Sequence, residues 1–188
     1  DSYLISTYTG GFWQLLNPFA LLAGVVSSAM ITMHGGAYLA HRTEGVIQAR
    51  AIKGATWAAV VMVLGFVGAG IWLQGIDGYR ITSVVDPSAL PNPMSKTVVR
   101  EAGAWMANYA AQPLLWILPV LGVLGALGAA ALLRARHTLS AFVSSALSIV
   151  GVIGTAGVSM FPFIMPSSTM PNASLTVWDS VSSHLTLG

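Results

Sequence analysis

Residues 54–76 read GATWAAVVMVLGFVGAGIWLQGI, an unbroken run without Asp, Glu, Lys or Arg between Lys53 and Asp77. At 1.5 Å per residue, about 20 apolar residues cross a bilayer core. This stretch is long enough, and it decides the solvent in which the chain folds. Three more stretches have the same property: Ser2 to His41, Ala102 to Leu133, and His137 to Trp178. The expected fold is therefore all-α, a polytopic transmembrane helical bundle forming a single domain over 1–188. Its four spans fall near 18–40, 53–73, 113–133 and 139–163, with an outer loop over 77–112 and an outer segment over 166–188.

Composition agrees. The 188 residues are 55% hydrophobic and 7% charged, whereas a soluble domain has about 25% charged residues. The start lacks the charged region and short apolar core of a signal peptide, so the first apolar segment reads as a retained span. The chain opens on Asp1 and stops at Gly188, and it is expected to be a piece of something longer. With no cysteine, disulfides, thiolate metal sites and Cys-attached haem are excluded on these residues. The net charge of +2 comes from basic residues in short loops beside apolar spans. That is a topology signal and not a nucleic-acid surface.

Arg42, Arg50 and Lys53 lie between spans one and two, and Arg134 and Arg136 between spans three and four. Those two loops are expected to be cytoplasmic. The connection between spans two and three spreads Arg80, Lys96 and Arg100 among Asp77, Asp86 and Glu101, and is expected outside. Within it, Asp86 to Met94 is rich in turn residues. After Ser95 as a candidate N-cap, Val98, Val99, Ala102, Trp105, Met106 and Tyr109 recur at helical spacing, which predicts an amphipathic surface helix with Trp105 and Tyr109 at headgroup level or a short helix packed on partner spans. Phe12, Trp13, Phe19, Trp72, Trp116, Phe161 and Phe163 extend the interfacial aromatic belt. Pro18 and Pro113 suit first helical turns, whereas Pro119 falls inside span three and predicts a kink.

Small residues repeat along the spans: Ala20, Gly24, Ser28, Thr32, Gly36 and Ala40 at every fourth position, and Gly122, Gly125, Gly128 with Gly151, Gly154, Gly157 at every third. Lipid gives helices no hydrophobic reason to associate, so these read as close-packing faces. Gly65, Gly68 and Gly70 follow no strand and are not a nucleotide loop. His34 is the imidazole deep in a span, and its candidate roles are a cofactor contact, proton relay or haem ligand against a neutral packing histidine bonded to a neighbouring helix. His41, His137 and His184 lie near span ends, so no second histidine shares its depth. Asp77 reads as a carboxylate ending span two or guarding a polar entrance. The Asn172-Ala173-Ser174 acceptor pattern is too short to carry weight.

Longer strings go further. Gln14-Leu15-Leu16-Asn17-Pro18-Phe19, Gly75-Ile76-Asp77-Gly78-Tyr79, Val98-Val99-Arg100-Glu101-Ala102-Gly103-Ala104-Trp105 and Met160-Phe161-Pro162-Phe163-Ile164-Met165-Pro166-Ser167-Ser168-Thr169-Met170 closely resemble subunit II of the cytochrome bd quinol oxidases. They follow the order of the second half of that subunit, so its first half and last span are expected to be missing. The resemblance implies a respiratory oxidase of the bacterial inner membrane that oxidises quinol, reduces dioxygen to water and builds a proton gradient. It implies that haem b and haem d sit on subunit I and that subunit II is its non-catalytic, structurally similar partner. It leaves open a structural quinone and small single-span accessory subunits. Some family members have glutamine where this chain has His34, so no ligand role is carried onto it. Two other classes compete: a structural membrane scaffold, and a fragment of a secondary transporter. The transporter reading is disfavoured because the spans lack midplane charges and unwound breaks apart from Pro119 and His34.

Overall fold

The computed structural model describes residues 11, 13, 16–85 and 92–180. The expectations for Phe12, for His184 and for most of Asp86 to Met94 lie outside these. Four long helices dominate: α1 (Pro18–Arg42), α2 (Gly45–Leu73), α4 (Ile117–Arg134) and α5 (Thr138–Met160), with a short α3 (Ala107–Ala111) between α2 and α4. All four long helices are apolar and long enough to cross a membrane, α4 together with the 3-10 turn at Pro113–Trp116 that leads into it.

Local chemistry sets the helix ends. Asn17 Oδ1 accepts from Ala20 N at 2.8 Å, and Pro18 fills the first position of α1, where a missing N–H costs nothing. Two residues, Thr43 and Glu44, turn the chain into α2, with Gly45 at φ 64°. The α4–α5 turn closes with His137 N donating to Leu132 O and Arg136 N to Leu133 O. This pair of bonds normally ends on glycine at the left-handed position. Here Arg136 occupies it at φ 64°. Pro119 is the third residue of α4, in the first turn, where amides have no obligatory helical acceptor. It lies inside the span Pro113–Arg134, at the start of its α-helical part.

Each hairpin packs along its own length, α1 on α2 and α4 on α5, and the two hairpins meet through α1 against α5 and α2 against α4. The α4–α5 seam is the closest. A Cβ on Gly151 would lie 2.3 Å from Gly122 N, and one on Gly125 would lie 2.7 Å from Ser148 N. That proximity lets Ser148 Oγ donate to Gly122 O at 2.6 Å and Ser144 Oγ to Gly125 O at 2.8 Å. Glycine removes the steric barrier, and serine supplies the directional bond that lipid cannot disrupt. In α1 the small-residue face divides: Gly36 meets Ala55, while a Cβ on Gly24 meets nothing within 4 Å, and Ala20, Ser28 and Thr32 are exposed. Met30, Met33, Met62 and Ala126 fill the centre, and Ala37, Ala40, Ala55 and Leu133 fill the end nearest the basic residues.

The other end carries a cap. Strands β1 (Asp77–Ile81) and β2 (Val98–Ala102) pair antiparallel from Asp77↔Ala102 to Ile81↔Val98, and β3 (Phe163–Met165) pairs with β4 (Leu175–Thr176). The amphipathic helix expected from Val98 is therefore cut short. Its first turn and a half is a strand, because Val98 to Ala102 find partners in β1 and Gly103 at φ 75° breaks the run. Helix resumes only at Ala104–Met106 and α3. Tyr109 is 2% exposed and donates its hydroxyl to Thr155 O at 3.0 Å, so it pins the cap to α5. Asp77 opens β1 four residues beyond the end of α2, so it does not terminate a helix.

Candidate functional site

His34 projects from α1 toward α5. Its Nδ1 lies 2.8 Å from Ser145 Oγ, and its ring stacks on Phe142 with centroids 4.6 Å apart and 22° between planes. Ser145 donates its single hydroxyl hydrogen to Phe142 O at 2.7 Å, so it is left to accept from His34. This places a hydrogen on His34 Nδ1. The ring series continues to Tyr38, 5.8 Å from Phe142, and the Arg42 guanidinium lies 5.8 Å over Tyr38. His34 stands eight residues from the end of α1, roughly 12 Å along the axis at 1.5 Å per residue, so Arg42, Tyr38 and His34 climb one face from the basic end into the bundle.

The sequence singles out His34 but gives no signal for Ser145 or Phe142, whose pairing depends on how the hairpins dock. His41 sits at the basic end, with Nδ1 3.1 Å from Thr138 Oγ1, and His137 is the N-cap of α5. The structure does not bring either to His34. Among the described residues, no three His, Asp or Glu side chains group closely enough to hold a metal ion. Thr56 Oγ1 is the buried side-chain polar atom without a hydrogen-bond partner among them.

A second polar site lies in the cap, and sequence reasoning missed it. Lys96 Nζ meets Asp179 Oδ2 at 2.5 Å, with side-chain exposures of 2% and 6%. The same oxygen accepts from Thr176 N at 3.2 Å and Thr176 Oγ1 at 2.6 Å. Burial alone pushes the Asp179 carboxyl up, but the hydrogen bond and charge of Lys96 together with the Thr176 bonds outweigh it and hold it below the usual carboxylate value. Nearby, Val98 N donates to Asn172 Oδ1 at 2.8 Å and the Arg100 guanidinium donates to Ser168 O. The amide oxygen of Asn172 is thus committed inside the cap. A cleft of about 350 Å³ separates the cap from the end of α5, lined by Tyr79, Arg80, Asn108, Phe161, Phe163 and Trp178 among others.

The sequence is similar to known proteins along its whole length. A family model described as cytochrome bd terminal oxidase subunit II matches residues 2–188. Cytochrome bd-I ubiquinol oxidase subunit 2 of Escherichia coli (strain K12) is 52% identical over 188 residues, which is 100% of this chain and 50% of that protein. Probable cytochrome oxidase subunit 2 of Haemophilus influenzae is 49% identical over 181 residues, 96% of this chain and 48% of that protein. The chain spans about half the length of these relatives. With four apolar helices and a match along essentially its whole length, this multi-pass inner-membrane chain belongs to the cytochrome bd terminal oxidase subunit II family.

Proposed function

We propose that the chain is part of the non-catalytic partner subunit of a quinol:oxygen oxidoreductase, packed against a larger subunit I that carries haem b and haem d. The complex oxidises quinol, reduces dioxygen to water and contributes to a proton gradient. The basic end, with Arg42, Arg50, Lys53, Arg134 and Arg136, faces the cytoplasm, and the cap faces outward.

One observation supports the non-catalytic role: the Nδ1 edge and one face of the intramembrane imidazole are used in helix packing. Ser145 holds His34 Nδ1 and Phe142 stacks on one ring face, so α1 and α5 are in contact at this level. The other described histidines stay at the basic end. Neither His41 nor His137 is brought to His34 to complete a bis-histidine site. What the chain contributes is a bundle closely packed along its Gly122–Gly151 seam.

The reading is tested on the full-length subunit expressed with its neighbouring genes. It is expected to co-purify with a haem-bearing subunit in a roughly equal ratio, and His34→Gln is expected to leave the reduced-minus-oxidised haem spectrum and most quinol oxidase activity intact. Loss of one haem band in His34→Gln would make His34 a ligand and overturn the assignment. A complex that shows no haem and consumes no oxygen would favour the scaffold reading.

A further inference from the structure

Helix α2 is longer than a membrane requires. Its 29 residues extend about 43 Å at 1.5 Å per residue, against a hydrocarbon core of about 30 Å. The excess of about 13 Å corresponds to roughly nine residues, which matches the stretch from Gly45 to Lys53 before the charge-free run begins. Arg50 and Lys53 therefore stand at headgroup depth, and Trp57 stands one turn deeper. At 100° per residue, Arg50, Lys53, Gly54 and Trp57 share a single face of α2. That face is open: Arg50, Lys53 and Gly54 are exposed, Trp57 is 63% exposed, and a Cβ on Gly54 would meet nothing within 4 Å. Farther along the same stripe Leu64 is 69% exposed, so the surface changes from cationic to aromatic to aliphatic along the helix.

Among the described residues, neither cation is in an ion pair. Among the described residues the ion pairs are Arg80–Glu101 and Lys96–Asp179, both in the cap. Two cations one turn apart, with a gap at Gly54 beneath them and an indole below that, match an anionic phospholipid in charge and in layering. We infer that this face of α2 binds an anionic phospholipid of the adjacent leaflet. Arg50 and Lys53 hold the phosphodiester over Gly54, Trp57 lies against the glycerol and upper acyl region, and Val61 and Leu64 line the chains. Arginine offers two parallel donors to phosphate oxygens and lysine a point charge, while the indole N–H sits at the wet boundary with its ring in the apolar layer. This inference rests on the membrane-spanning fold and not on the oxidase reading.

The test uses the full-length subunit in its complex, stripped of endogenous lipid and titrated with dioleoyl phosphatidylglycerol or dioleoyl phosphatidylcholine under native mass spectrometry. The unmodified complex is expected to prefer phosphatidylglycerol. R50Q/K53Q is expected to weaken that binding about thirty-fold, the effect of two cations at an anionic interface, without changing phosphatidylcholine binding. The charge-preserving R50K/K53R is expected to keep the preference in an intact complex, and Arg80→Gln in the cap is expected to leave it unchanged. A photo-crosslinking residue in place of Trp57 is expected to capture lipid. The inference is overturned by equal binding of the two lipids, by unchanged affinity in R50Q/K53Q, or by capture of another protein subunit from position 57, which would make this face a protein interface.

Discussion

Removing the Asp179 carboxylate takes a counter-ion from a buried ammonium. Asp179→Ala takes away the acceptor of Lys96 Nζ and of two Thr176 donors at once, because a single oxygen serves all three. With the Lys96 side chain 2% exposed, water cannot take over the role of the carboxylate. Breaking a buried pair by deleting one partner costs about 3–5 kcal/mol. The exposed Arg80–Glu101 pair, 59% and 48% exposed, contributes at most about 1 kcal/mol. Asp179→Ala is therefore expected to raise local opening of the cap about a thousandfold, taking 1.4 kcal/mol per factor of ten, and Glu101→Ala less than about fivefold. Hydrogen exchange at β2 and β4 amides of the full-length complex reads this directly. Lys96→Met with Asp179→Leu is expected to recover most of the loss, since an apolar pair of similar volume replaces the ions. Acid acts in the same direction. The folded carboxyl titrates below its unfolded value of about 3.9, so its contribution is complete above about pH 4 and is lost as pH falls through the folded value. Equal exchange in Asp179→Ala and Glu101→Ala, or a double variant no better than the single, would refute the reasoning.

Gly151→Ala places a methyl 2.3 Å from Gly122 N and is expected to push α4 and α5 apart, destabilising the subunit by about 1–3 kcal/mol; a melting temperature equal to that of the unmodified protein would refute it. Thr56→Val removes a buried hydroxyl with no partner and is expected to be neutral or to stabilise by about 1 kcal/mol in the same melt. Cysteines at Glu44 and Val84, both exposed, are expected to label from opposite sides of the membrane, with Glu44 reached from the cytoplasm; labelling of Val84 from the cytoplasm would reverse the proposed orientation.

The helices were legible because lipid forces a simple rule: uninterrupted apolar length gives a span, and Lys or Arg marks its end. Even so, α2 begins eight residues before the expected Lys53, since long cationic side chains extend back to the interface and a helix carries them readily. The cap was less legible. Val98 to Tyr109 fits a helical period, yet Val98 to Ala102 forms a strand, because its register depends on β1, about 20 residues earlier in the chain. His34 stood out as an ionisable group in an apolar run. Ser145 and Lys96 did not, because what distinguishes each is a partner distant in sequence, and one chain read alone does not reveal partners.

The cap also bears on the order in which the chain is put together. Lys96 and Asp179 are 83 residues apart, and Val98 and Asn172 are 74 apart, with both helices of the second hairpin between them. Chains emerge from the ribosome N-terminus first, so β1 and β2 can pair as soon as they are exposed. The Lys96 and Val98 contacts must wait until α4 and α5 have crossed the bilayer and residues 172–179 have reached the same side. A nascent chain in which only one of α4 and α5 has crossed leaves Asp179 on the opposite side of the membrane from Lys96. Closure of the cap therefore reports that α4 and α5 lie in the membrane as a pair, since a molecule with one of them left behind cannot bring residues 172–179 to β2.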